Sequence, residues 1–243
     1  MPPTPSSGRD SRGAIRHAGL IAGVGLLLMA ALSGFGYFVA VKGLVTPGDA
    51  ARTAAAIKGS ETLFRFGIVA LFVVAVLDVV VAWALYHVFR PVSDNLSMLA
   101  AWLRVAYAAV FLIAIVQLLE VPQLLENDRP LAVFKPALVL ARIDAFNDIW
   151  HAGLVLFGVH LLVIAYRSRT VPKLVAVLLA VAGLGYLFDS FAAALTGSSP
   201  EVSSYTFFGE FLLAVWLTTR GSRGCRRRTV TTTERGNVDL TEA

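Results

Sequence analysis

The stretch AYRSRTVPKL (165–174) places Arg167, Arg169, Lys173 and a proline between two long apolar runs. About 20 helical residues cross a bilayer core of roughly 30 Å. Each flanking run is close to that length and almost uncharged. The segment therefore reads as a short turn between two membrane helices. Arg167 and Arg169 stay in the polar phase, Pro172 opens the second helix, and Lys173 snorkels toward the surface.

The rest of the chain repeats that pattern. Of 243 residues, 57% are hydrophobic and only 15% charged, too little polar surface to clothe a water-soluble domain of this size. The charges are clumped, and the gaps between them define an all-α, polytopic protein of six transmembrane helices. The expected spans are about 19–42, 63–89, 97–120, 149–166, 173–193 and 204–219. Arg9, Arg12 and Arg16 precede the first span. Its apolar stretch is longer than a leader's hydrophobic region and lacks a clean small-x-small site, so it reads as a helix of the bundle.

Charge tests this topology. With the N-terminus in the cytoplasm, 13 Lys and Arg fall on inside segments and 7 outside, Arg104 lying within a span. That bias places both termini in the cytoplasm. Residues 1–18 and 220–243 read as disordered basic ends flanking a transmembrane domain over 19–219. The tail RGSRGCRRR, which holds the single cysteine Cys225, suits anionic lipid headgroups. The net charge of +5 gives no reason to expect nucleic acid, because the basic residues sit at span ends. Of the connections, 43–62 is polar and Ala-rich, with a short outside helix expected. Residues 121–148 form the longest, including an interfacial amphipathic helix in PALVLARIDAFNDIW. Trp83, Tyr86, Trp150, Tyr205 and Trp216 fit interfacial aromatic belts.

Three blocks carry a family resemblance: GDAARTAAAIKGSETLFRFGI (48–68), LYHVFRPVSDNLSMLAAWLRVAYAA (85–109) and DAFNDIWHAGLVLFGVHLLVIAYRSRTVPKLVAVLLAVAGLGYLFDS (144–190). Together they resemble the DUF4386 family of bacterial integral membrane proteins, over roughly residues 15 to 217. The resemblance implies a helical membrane fold in the bacterial plasma membrane and brings no biochemical function with it.

Ionisable groups at bilayer depth are costly unless paired or wet, which makes each a candidate site. Counting 1.5 Å per residue from the nearest turn puts Asp78, Arg104 and His160 in the cytoplasmic half, roughly 10 to 20 Å from that side, an inner polar cluster. Glu61, Arg65, Glu120, Asp189 and Glu210 form an outer layer. The expected pairs are Asp78 with Arg104, and Arg65 with Glu210 or Asp189. Such pairs either fix helix register or line a polar path for a proton or ligand. Asp144, Asp148 and His151 lie at i, i+4 and i+7. On one helix face they could bind a divalent metal, or they cap the start of a span. No HExxH, phosphate loop or serine elbow occurs. The leading reading is a non-catalytic binding, sensing or transport-associated module without a cofactor. A metal-dependent membrane enzyme and a proton-coupled transporter are the alternatives, and the catalytic residues of the former are unassigned.

Overall fold

The computed structural model describes residues 7–126, 134–167, 171–196, 202 and 209–219. All regular structure among them is helical: α1 (Ser7–Ser33), α2 (Ala50–Gly59), α3 (Glu61–Phe89), α4 (Asp94–Glu126), α5 (Lys135–Arg167), α6 (Lys173–Thr196) and α7 (Gly209–Thr219). A π-helical turn, Gly34–Val39, and a 3₁₀ turn, Lys42–Leu44, extend α1. Five helical segments are long and apolar enough to cross a membrane: Gly13–Leu44 and the stretches over α3, α4, α5 and α6.

Two expectations need correction. Five long spans replace the six read from sequence, because the described part of the sixth is the 11-residue α7, about 16 Å of helix. The long connection 121–148 is also mostly helix. α4 continues through Pro122 to Glu126, and α5 begins at Lys135. The supposed interfacial helix is the first half of α5, whose Val139, Ile143 and Phe146 are buried at helical spacing. Trp150 thus falls within α5 rather than in a surface belt. The basic tail, Cys225, Tyr205 and Arg169 lie outside the described residues.

Local chemistry sets the helix ends. Gly48 has a φ of +76°, open to glycine without penalty, and turns the chain into α2. Asp49 caps α2 by accepting from the Arg52 N–H at 2.8 Å. At the α3–α4 turn Tyr86 Oη donates to Asp94 at 2.8 Å, and Arg90 pairs with Asp94 at 3.3 Å. Pro172, without an N–H, sits just ahead of α6, and its carbonyl accepts from Ala176.

Packing neighbours follow chain order: α1 on α3, α3 on α4, α4 on α5, and α5 on α6. α7 closes the ring. A Cβ added at Gly209 would fall 2.6 Å from the Leu178 backbone in α6, and one at Gly23 in α1 would meet Thr218 and the Ala214 carbonyl. Small residues let these backbones approach, as bilayer-embedded helices require. Gly19 faces Val88 near the α3–α4 turn, so the C-terminal end of α7 and the early part of α1 share that end of the bundle.

The outside is apolar, and the largely apolar interior encloses a few buried polar and charged groups. Phe66, Trp102, Val177 and Leu184 are all more than half exposed, whereas Asp78, Arg104 and His160 are 1% exposed and Asp189 is fully buried. A water-soluble monomer does not display contiguous apolar surface on this scale. In lipid that surface is solvated.

Candidate functional site

The centre of the ring is built on Arg104, projected inward from the first third of α4. Its Nη2 stands 2.7 Å from Asp78 Oδ1 on α3 and 3.8 Å from Met29 Sδ on α1. Its guanidinium lies 5.1 Å from the Phe157 ring centroid, in range for a cation–π contact. Nη1 faces His160 Nε2 at 3.4 Å. The other imidazole nitrogen, Nδ1, is 2.7 Å from the Ala100 carbonyl. A carbonyl only accepts, so Nδ1 carries the hydrogen and Nε2 presents its lone pair to Arg104.

The ion pair is close but poorly aligned. Neither Asp78 oxygen nor Arg104 Nε has a hydrogen-bond partner among the described residues. Hydrogen-bonding capacity is left over where it is most costly.

From α6, Tyr186 Oη donates to Glu210 Oε1 on α7 at 2.9 Å. Glu210 lies within electrostatic reach of both Arg104 and Asp78. This moves it from the outer layer, where the sequence placed it, to the edge of the central cluster, where it is half-buried. The ring therefore sends one side chain inward from each of its six helices: Met29, Asp78, Arg104, His160, Tyr186 and Glu210. Tyr107, one turn beyond Arg104, accepts from Trp150 Nε1 at 3.0 Å and also couples to Asp78 and Arg104. Sequence reasoning missed Tyr107 and Tyr186. Helical spacing was the available signal for Tyr107, three residues from Arg104. Tyr186 carried none.

The remaining candidates separate. Arg65 pairs with neither Glu210 nor Asp189. Its Nε binds Glu61 and its Nη2 binds Glu126, both at 2.6 Å, which ties the start of α3 to the end of α4. Glu120 binds Arg142 at 2.8 Å across α4 and α5. These pairs are a third to more than half exposed, and exposed pairs contribute less than about 1 kcal/mol. Arg142→Ala is accordingly expected to leave the melting temperature within a few degrees of wild type by thermal unfolding in detergent. A collapse of the fold would contradict that assignment.

Asp189 accepts from the Val202 N–H at 3.0 Å, closing the C-terminal end of α6. Ser190 Oγ lies 2.8 Å from both the His151 and Tyr186 carbonyls, which share its single hydrogen. Asp144 and Asp148 are exposed on α5 and His151 is half-buried. Among the described residues no three His, Cys, Asp or Glu side chains stand close enough to share a metal ion.

A narrow cleft of about 20 Å³, room for little more than one water molecule, opens toward this centre from the α3–α4 turn. Leu85, Phe89, Val92 and Leu96 make its apolar wall, Ser93 and Ser97 bring hydroxyls, and His160 forms part of the inner lining.

An apolar exterior around an interior ion pair, fed by a cleft from one end, defines a multi-pass helical membrane protein with a polar centre. The family model DUF4386, described as a domain of unknown function, matches residues 21–221, and the chain belongs to that family. A protein of Archaeoglobus fulgidus named only as uncharacterized is 34% identical over 161 residues, covering 65% of this chain and 85% of the relative. No solved structure matches.

Proposed function

We propose that this protein is a non-catalytic binding module of the plasma membrane, which takes a small amphipathic molecule into the cleft at the α3–α4 turn. The bias of Lys and Arg toward this end supports reading it as the cytoplasmic face. Both ends of the ring, early α1 and late α7, lie there too. The carrying observation is the cleft itself, apolar along its wall, with serine hydroxyls and a histidine of the buried cluster in its lining. Such a lining suits an alkyl body and an uncharged head once the side chains that narrow the cleft move apart. His160 then couples occupancy to the Asp78–Arg104 pair, whose spare hydrogen-bonding capacity lets it rearrange.

The test uses a dansyl-labelled alkyl alcohol titrated into the full chain in nanodiscs. A saturable signal above bilayer partitioning is expected. Ala101→Phe, which fills the cleft from its wall, is expected to weaken it by about tenfold or more. Equal binding by wild type and Ala101→Phe would remove the cleft from the account.

A further inference from the structure

Charge does not balance at the centre of the ring. Arg104 is the only cation within electrostatic reach of Asp78 or Glu210 among the described residues. Two carboxylates therefore share one guanidinium, Asp78 buried and Glu210 half-buried, among helices whose outer faces are apolar.

None of the packed helices supplies the missing positive charge among the described residues. α1 offers Met29, which is uncharged. α5 offers His160, but its Nε2 already faces the Arg104 Nη1 at 3.4 Å, and a proton there would set two cations against each other. α4 adds Tyr107 and α6 adds Tyr186, both neutral phenols. α3 supplies Asp78 alone, and α7 supplies Glu210. An uncompensated charge in such a place is costly, and the group neutralises instead.

The two carboxylates are not equivalent. Asp78 is at contact distance from the guanidinium, 2.7 Å from Nη2. Glu210 has only Arg104's longer-range field, and the hydrogen bond from Tyr186 at 2.9 Å. The field of the single cation is therefore spent mainly on Asp78, and Glu210 is the group left to be neutralised.

We propose that Glu210 binds one exchangeable proton, so that the six-helix centre is neutral when the proton is on and carries one negative charge when it is off. The step is simple in balance. A proton from water forms an O–H bond on the Glu210 carboxylate, no other covalent bond changes, and the cluster gains one positive charge. Ionising Glu210 pits it against Asp78 for the guanidinium, which gives the proton a route to the geometry of the ion pair and of His160 beside it. The site is then proton-responsive whether or not the cleft takes a ligand.

Infrared difference spectroscopy on the full chain in lipid nanodiscs tests this, with pH stepped from neutral to alkaline. A protonated-carboxyl stretch is expected at neutral pH that disappears on alkalinisation. Glu210→Gln should lack it, and Glu120→Gln, which alters an exposed pair, should keep it. Asp78→Asn should also lose it, because Glu210 then has Arg104 to itself and ionises. That second arm decides the matter if Glu210→Gln fails to fold. Absence of the band in wild type, its persistence in Glu210→Gln, or its retention in Asp78→Asn would each overturn the proposal. So would a band seen only after sodium and other cations are removed, since a bound metal cation would then be supplying the charge.

Discussion

Arg104→Met is expected to cost about 3–5 kcal/mol of stability, the usual penalty for stranding a buried charge by deleting its partner. The side chain is 1% exposed and sits among four helices, so water cannot replace it without opening the bundle. Asp78→Leu is expected to cost less, because Arg104 retains Glu210 as a second counter-charge. The double variant Asp78→Leu/Arg104→Met removes both ions and is expected to recover most of the loss, since an apolar replacement of a buried pair is often close to neutral. Denaturant unfolding of the three variants in mild detergent measures this directly. Additive costs in the double variant would mean that the two residues do not act as a pair. A recovered fold that no longer binds the alkyl probe would show that the pair is kept for occupancy of the cleft rather than for register.

That part of the site was legible because the helical rise is fixed. Counting residues from Arg90, Pro91 and Arg167 puts Asp78 and Arg104 at about the same depth, with His160 nearer the turn, and Asp78 and Arg104 do meet. The count fails when a helix is offset along its axis. Glu210 was placed toward the outside because it opens the expected sixth span, yet Gly209 packs against Leu178, only six residues into α6. That depth is set by tertiary contact, and no spacing in the sequence encodes it. The error over 121–148 has a different origin. Glu120 and Pro122 look like a span end, but Leu118 and Val121 are fully buried and hold α4 together through the proline. Packing outweighs the missing N–H. Likewise the acids in α5 read as the start of a span, while Val139, Ile143 and Phe146 on the opposite side had already fixed the helix. The Arg65 pairing failed because Glu61, one turn away on the same helix, is a nearer partner than any residue of another span.

Gly183→Ala is expected to destabilise the protein by roughly 1–3 kcal/mol, as overpacking of a tight interface does. An added Cβ there would lie 2.7 Å from the Gly158 carbonyl oxygen, with Leu162 and Leu161 at 3.1 and 3.3 Å. The nearest atom is backbone, so no rotamer change relieves it and α5 and α6 must move apart. The control is Gly34→Ala, where nothing stands within 4 Å of the new methyl group. Alanine is the better helix former by about 1 kcal/mol, so that variant is expected to be neutral or slightly more stable. One chemical change thus has opposite signs at two sites, and melting temperatures of the pair separate contact from propensity. The consequence reaches the centre. His160 lies two residues beyond Gly158 and Tyr186 three beyond Gly183, and the Phe157 and Tyr186 rings meet at 5.5 Å. Separating α5 from α6 therefore pulls His160 and the Tyr186–Glu210 hydrogen bond in different directions, and Gly183→Ala is expected to weaken alkyl-probe binding together with stability. Unchanged binding in a clearly destabilised Gly183→Ala protein would show that the cleft, built mainly from α3, α4 and α5, works without α6.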